Sequence, residues 1–177
     1  MFEISKTEAI TRISPLPFTL VTSIGPNGYV NAAGVSWTTI LSWEPFLIGI
    51  SVAQPRYTHS CIEFCKEFVV CYPGEELAKQ AWLCSTVSGR KKDKLKEFKI
   101  STVPSLKVKP PSIEKSIVSF ECMLEGKTTI GDHTLFIGKV VAITSNRMVK
   151  RHLFCVNYGK LVSCNKDGET NFELEFI

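Results

Sequence analysis

The chain of 177 residues is 44% hydrophobic and carries a formal net charge of +4. This length suits one domain, which we take to span residues 1–177, and the hydrophobic content excludes an intrinsically disordered chain. The small positive charge favours an anionic ligand such as a phosphate, but it is weak support for nucleic-acid binding. No apolar stretch reaches the ~18 residues of a transmembrane helix, and the first ten residues lack the apolar core of a signal peptide.

The seven cysteines are spread along the chain without a Cys-x-x-Cys pair. An odd count in this arrangement argues against a disulfide framework and against a zinc ribbon, so we expect no metal site. Cys71 and Cys122 lie within apolar, strand-like runs and are predicted to be buried. Free thiols are typical of a reducing compartment, and the expected location is the cytoplasm.

Short apolar and β-branched runs separated by turn residues dominate the chain. Asn27-Gly28 is a strong hairpin signal between the first two runs. The predicted strands cover residues 18–24, 29–37, 46–52, 68–72, 116–126 and 134–145. Short helices are predicted over 58–66 and 75–83, and a polar loop or helix over 88–98. Residues 104–111 are predicted to be extended, and residues 154–177 to add a strand or to cover a neighbouring element. This order excludes a doubly wound sheet and indicates a mainly β, antiparallel barrel with inserted helices.

The segment 31–39 (NAAGVSWTT) is rich in small residues and hydroxyl groups. Residues 32–34 carry little side-chain bulk, so a flat ligand could approach the backbone closely. The hydroxyls of Ser36 and Thr38 could hydrogen-bond such a ligand, and Trp37 could stack on it. The alternative is that the small residues serve close packing between strands around a core tryptophan.

Two polar segments and one histidine are further candidates. Residues 56–60 (RYTHS) stand at a predicted helix start, where free N–H groups attract anions and Arg56 could pair with a phosphate. Residues 88–94 (SGRKKDK) combine a flexible glycine with cations, although the Gly-x-x-x-x-Gly-Lys spacing of a phosphate-binding loop is missing. His133 lies in a turn at a strand start and could donate a hydrogen bond to a ligand. Helix capping, a solvated charged face and an ordinary surface histidine are the alternatives.

Taken in order, these segments resemble the flavin-reductase-like, FMN-binding split-barrel family, which includes the flavoredoxins. The small-residue strand ending in Ser-Trp, the Arg-x-Thr step and the Ser-Gly-Arg-x-x-Asp-Lys loop are similar to the family's motifs. The segments that carry the resemblance are 31–37, 45–52, 56–58, 67–70, 88–94, 120–122 and 131–133. The likeness runs from about Pro15 to Tyr158. Lys91 and Lys92 depart from the residues usual in the loop, and Ser85 stands where glycine is common.

The resemblance implies a six-stranded antiparallel Greek-key split barrel with a few short helices and a core over about residues 15–158. It also implies non-covalently bound FMN and a homodimer with the flavin near the subunit interface. The positions implied to contact the cofactor are Asn31, Ala32, Ala33, Gly34, Val35, Ser36, Trp37, Thr38, Ser51, Val52, Arg56, Thr58, Ser88, Gly89, Lys94 and His133. His133 is also the catalytic candidate, because the resemblance places it near the flavin ring or the hydride donor.

Three functions remain open at this stage. The first is an NAD(P)H-dependent flavin reductase that passes hydride or electrons through FMN to free flavin or a partner protein. The second is a flavoredoxin-like electron carrier that a partner protein reduces. The third, from another class, is a non-catalytic nucleic-acid-binding barrel that uses the basic run 90–99. We favour the first, with no nucleic-acid and no membrane partner.

Overall fold

Antiparallel β-sheets dominate the computed structural model, which describes residues 1–175. The predicted mainly β class is therefore confirmed. The strands are β1 (Leu16–Pro17), β2 (Thr19–Ile24), β3 (Val30–Val35), β4 (Thr38–Ser42), β5 (Leu47–Ala53), β6 (Glu67–Pro73), β7 (Thr102–Val103), β8 (Ser112–Ile113), β9 (Ser116–Ile130), β10 (His133–Thr144), β11 (Arg151–Val156), β12 (Lys160–Asn165) and β13 (Thr170–Glu175).

The main sheet has seven strands in the order β3-β2-β6-β9-β10-β5-β4. It contains all six strands predicted from the sequence, and β4 is added at the edge. The expected hairpin joins β2 to β3, with Gly28 at a φ of 79° in its turn. The predicted strand 29–37 ends earlier than expected, because the chain breaks after Val35 and resumes pairing at Thr38 against β5.

A second sheet of four strands has the order β1-β11-β12-β13. The second sheet confirms the prediction that the C-terminal segment 154–177 adds strand structure. Residues 176 and 177 of that segment lie outside the described residues. The β11–β12 hairpin turns through residues 157–159, where Asn157 and Tyr158 have φ values of 52° and 54°. A small third sheet pairs β7 with β8.

The helices are α1 (Lys6–Arg12), α2 (Tyr57–Cys65), α3 (Ala78–Thr86) and α4 (Lys94–Glu97), with a 3₁₀ turn over Glu75–Leu77 before α3. Helices α2 and α3 lie where the sequence predicts them. Helix α1 was not predicted, and Ser5 caps it by accepting a hydrogen bond from the backbone N–H of Glu8. Among residues 1–175, no helix has both the length and the apolar character needed to cross a bilayer.

The prediction of extended chain over 104–111 is wrong, because most of this segment forms consecutive bends. The reason is a buried carboxylate that competes with strand pairing for the backbone N–H groups. Glu121, fully buried on β9, accepts from the N–H groups of Leu106 at 2.8 Å and Lys107 at 2.7 Å. Glu67 accepts from the N–H of Lys109 at 2.9 Å.

The core consists of two clusters of buried side chains, and successive residues of β2 and β6 alternate between the two clusters. Cys71 lies in the first cluster and Cys122 in the second, and both are fully buried as predicted. Burial raises the pKa of the Cys71 thiol to about 11, so it remains a neutral, hydrophobic group. The first cluster also receives α3, which brings its C-terminal end next to β3.

Candidate functional site

A cavity of 790 Å³ opens between strand β3, the C-terminal end of β5, the start of α2 and the chain that follows α3. This volume is within the usual range for a small-molecule site. The structure brings together three segments that are far apart in sequence: residues 31–37, residues 51–58 and residues 84–94. All sixteen predicted cofactor contacts except Ala32 and Thr38 line this cavity.

Ala32 and Thr38 lie away from the cavity for different reasons. Ala32 is fully buried in the first core cluster, on the opposite face of β3 from Ala33, because side chains alternate along a strand. Thr38 begins strand β4, and its hydroxyl lies 3.3 Å from that of Thr19. The small-residue segment therefore presents only part of its length to a ligand.

At two positions of the cavity wall, Gly34 and Gly89, neighbouring side chains lie so close that only glycine fits. A Cβ at Gly34 would overlap the hydroxyl of Ser85 and lie 2.7 Å from Cζ of Phe18. The packing interpretation of the small residues therefore holds at Gly34. A Cβ at Gly89 would overlap Oδ1 of Asn31 and lie 3.0 Å from Cδ1 of Tyr57. Gly89 thus allows the loop after α3 to close over the floor of the cavity.

Two polar atoms at the cavity wall are buried without a hydrogen-bond partner in the described structure: Oδ1 of Asn31 and Oγ of Ser85. The amide of Asn31 donates to the hydroxyl of Thr58 at 3.0 Å, and the residue is only 3% exposed. A buried polar atom without a partner costs free energy, so a polar ligand that supplies the missing partner is stabilised there.

The side chain of Lys94 is buried at one end of the cavity. Its ammonium group donates to the carbonyl oxygens of Cys84 at 2.9 Å and Val87 at 3.3 Å. These bonds use two of its three protons, so one N–H remains for a ligand. Burial lowers the pKa of Lys94, and a bound anion would favour its charged form. The predicted cation is therefore present, and it also holds the chain after α3 in place.

Arg90 forms a contact that sequence reasoning did not assign to the site. Its guanidinium donates to the carbonyl oxygen of Pro55 at 2.9 Å and to the hydroxyl of Ser60 at 3.2 Å. It also lies 5.3 Å from the centre of the Tyr57 ring, a cation–π contact. Arg90 thus fastens the loop 88–94 to the start of α2. The Ser-Gly-Arg motif drew attention to this loop, but nothing in the sequence indicated that Arg90 contacts Pro55.

The other end of the cavity is aromatic. The indole N–H of Trp37 donates to the hydroxyl of Tyr158 at 2.9 Å, and the rings of Trp37 and His133 are 4.7 Å apart. Nδ1 of His133 is 2.7 Å from Oδ1 of Asp132. This hydrogen bond lowers the pKa of the Asp132 carboxyl below its ordinary value. Tyr158 was not predicted, because it reaches the site from a turn of the second sheet.

Residues 11–161 match the family model described as the flavin reductase like domain. The chain belongs to the flavin-reductase-like family. An uncharacterised protein from Pyrococcus abyssi is 39% identical over 137 residues, which are 77% of this chain and 78% of that protein. This relative is itself uncharacterised, so it adds no activity to the family assignment.

Solved structures of flavin-reductase-like proteins share the fold. A flavoredoxin from Methanosarcina acetivorans superposes with a TM-score of 0.79 at 20% identity, covering 100% of this chain and 92% of that one. An FMN-binding protein from Thermus thermophilus, with bound p-hydroxybenzaldehyde, gives a TM-score of 0.77 at 22% identity, covering 88% and 89%. At these identities the likeness establishes the fold alone.

The basic run 90–99 of this flavin-reductase-like chain does not form a uniform exposed surface. Lys94 is buried, Arg90 is bonded to α2, and Lys92 is paired with Glu97 at 2.6 Å. Lys91, Lys96 and Lys99 remain exposed, so the cations of the run are divided between the cavity, contacts within the protein and solvent. Two of the six cations of the run, Arg90 and Lys94, line the cavity, which supports a ligand there rather than a nucleic-acid strand along the whole run.

Proposed function

We propose that this protein is an FMN-binding oxidoreductase that acts as an NAD(P)H-dependent flavin reductase. The observation that carries the proposal is the pairing, in one cavity, of a buried cation at Lys94 with the unpartnered buried oxygen of Asn31. A phosphorylated ligand with hydroxyl groups satisfies both, because its phosphate accepts from the ammonium and a ribityl hydroxyl donates to the amide oxygen. The family assignment supports the same cofactor.

Charge and shape suggest how the cofactor would lie. Arg56 and Lys94 would hold the phosphate, assisted by the hydroxyls of Thr58 and Ser88 and by the free N–H groups at the start of α2. The side-chain-poor backbone of Ala33 and Gly34 and the ring of Trp37 would border the flat part of the ligand. Ser51 and Val52, at the end of β5, would complete the wall.

Bound FMN would supply a reversible acceptor and donor of hydride. The protein's own groups would bind the cofactor, orient it and exclude water, without acting as nucleophiles. Phe18 and Trp82, stacked with ring centres 6.5 Å apart, make part of the wall apolar. His133 would hold a proton at Nδ1 against Asp132 and keep Nε2 available beside the aromatic end. NAD(P)H would enter at that end.

A homodimer is part of this proposal. Strand β4 lies at the sheet edge directly after Trp37 and carries exposed apolar side chains, with Ile40 55% exposed and Trp43, just beyond it, 80% exposed. A second copy would bury these residues beside the aromatic end of the cavity. All seven cysteines are free, which supports a reducing cytoplasm as the site of action.

The test begins with the absorption spectrum of the purified protein, before and after addition of FMN and gel filtration. We expect a yellow protein with one FMN per chain and oxidation of NADH or NADPH that depends on added flavin. Asn31→Ala should weaken FMN binding, whereas Tyr29→Ala, at an exposed turn position outside the cavity, should not. A protein that stays colourless with micromolar FMN would contradict the proposal.

A flavoredoxin-like electron carrier is the second candidate, supported by the fold shared with the Methanosarcina acetivorans protein. It predicts the same FMN binding but no steady oxidation of NADH or NADPH. Photoreduction of the FMN-loaded protein, followed by mixing with an oxidised acceptor protein, would then show electron transfer. The nicotinamide assay separates the two candidates.

A further inference from the structure

The indole of Trp37 is held by two residues that come from distant parts of the chain. Its ring N–H donates to the hydroxyl of Tyr158 at 2.9 Å. The imidazole of His133 lies 4.7 Å from the indole, centre to centre, at an angle of 36°. Rings this close and nearer to parallel than perpendicular are offset-stacked, so the imidazole covers part of one indole face. Trp37 lines the cavity and is 44% exposed, so much of its ring remains open to a ligand.

Both neighbours of the indole are themselves fastened. Nδ1 of His133, at the β9–β10 turn, lies 2.7 Å from Oδ1 of Asp132. Tyr158 lies in the β11–β12 turn, where the backbone N–H of Asn157 donates to the hydroxyl of Ser14 at 3.1 Å. Turns from the two sheets therefore meet at the same indole ring and restrict its orientation.

Tyr158 occupies a backbone conformation that tyrosine rarely adopts. Its φ of 54° is in the left-handed region, where a bulky aromatic residue is an outlier. Strain of this kind is concentrated at functional sites. Water can satisfy the indole N–H of a partly exposed tryptophan, so the hydroxyl of Tyr158 is not needed to avoid an unpaired donor. A hydroxyl that the fold holds in place differs from water because it also fixes the direction in which the indole points.

We propose that Tyr158 is a positioning residue of the flavin site, which holds the indole of Trp37 in one orientation against the planar ring of the cofactor. The second sheet thereby takes part in the site through its β11–β12 turn. A ring whose orientation is already restricted loses little freedom when a ligand stacks on it, so the contact favours binding more than a mobile ring would. This inference rests on the proposed function for the flavin contact, whereas the hydrogen bond is tested without cofactor.

The hydrogen bond is tested first, by NMR measurement of solvent exchange of the tryptophan indole protons in the full-length protein, with and without FMN. The chain has three tryptophans, and Trp37→Phe identifies the signal of Trp37. We expect this proton to exchange several-fold faster in Tyr158→Phe, which keeps the ring but removes the accepting hydroxyl. Tyr29→Phe removes an exposed hydroxyl outside the cavity and should leave the rate unchanged. Equal exchange in the parent protein and Tyr158→Phe overturns the inference.

The contact with the flavin is tested by the fluorescence of bound FMN, because an indole in contact with a flavin quenches its emission. We expect Tyr158→Phe to raise the fluorescence of bound FMN and to weaken FMN binding by about two- to tenfold, the range of one hydrogen bond. In a Trp37→Phe background the same substitution should change neither quantity, because the ring that Tyr158 positions is gone. A purely structural role of the tyrosine would lower stability equally in both backgrounds without changing the emission.

The outcomes separate this inference from the cofactor proposal. Failure of the parent protein to bind FMN contradicts the proposed function, whatever the indole exchange shows. When FMN binds, unchanged fluorescence and affinity in Tyr158→Phe overturn the positioning role alone. An equal effect of Tyr158→Phe with and without Trp37 also overturns it, because the tyrosine would then act on the cofactor directly.

Discussion

The ammonium nitrogen of Lys94 lies 2.9 Å from the carbonyl oxygen of Cys84, so a buried cation links helix α4 to helix α3. Burial lowers the pKa of Lys94 in the folded protein, whereas the unfolded chain keeps the ordinary value of 10.5. Between those two values the unfolded state binds more protons, so the folded state gains stability as pH rises. At neutral pH this gain is absent, and the charged form is costly until an anion binds.

We therefore expect the free energy of unfolding of the ligand-free protein, relative to Lys94→Met, to increase as pH rises towards 10.5. Urea unfolding at a series of pH values measures this difference. Lys96→Met, an exposed lysine on the same helix, should show no such trend. A difference between the parent protein and Lys94→Met that is independent of pH would argue against a buried, titrating amine.

Gly89→Ala should weaken FMN binding by roughly tenfold, which is about 1.4 kcal/mol. The added Cβ would overlap Oδ1 of Asn31, so either that amide or the loop must move. Fluorescence titration of FMN measures the effect. Gly126→Ala is the matched control, because its Cβ would have its nearest neighbour at 3.9 Å. Unchanged affinity in Gly89→Ala would mean that the loop does not close against the ligand.

Glu121→Gln should lower the free energy of unfolding by about 2 kcal/mol, because a neutral amide replaces a buried carboxylate that accepts two backbone N–H groups. One of these N–H groups would then face the amide's own donor. Urea denaturation provides the measurement. Glu125→Gln, exposed on the same strand β9, should change stability little. Equal effects of the two substitutions would remove Glu121 as the anchor of residues 104–111.

Arg90→Ala should loosen the loop 88–94, since it removes the hydrogen bonds to Pro55 and Ser60 and the contact with the Tyr57 ring. We expect faster amide hydrogen exchange in this loop and FMN affinity reduced several-fold, in line with the ~1 kcal/mol of such partly exposed contacts. Lys91→Ala, at the next exposed position, serves as the comparison. If the loop amides exchange at the same rate in both variants, the positive charge near the loop, and not the contacts of Arg90, controls its stability.

The sequence predicted the strands of the main sheet because most of them are short apolar runs bounded by turn residues. It missed β4, whose residues follow an irregular step at Ser36 and Trp37 and pair only with β5. It also misjudged residues 104–111, where three prolines suggested extended chain. Their bends are bonded to Glu121, which lies 15 positions from Leu106, on the strand β9 that pairs with β6.

The sequence by itself determined the mainly β fold class, because short apolar runs alternate with turn residues, and its resemblance to the family pointed to most of the residues that line the cavity. Only the tertiary structure decided which of them face the cavity, since strand alternation turns Ala32 into the core while Ala33 stays at the wall. It also brought Tyr158 to Trp37 across 121 positions of the chain. Local preference sets the strands, but the hydrogen bond between these two side chains depends on how the two sheets pack.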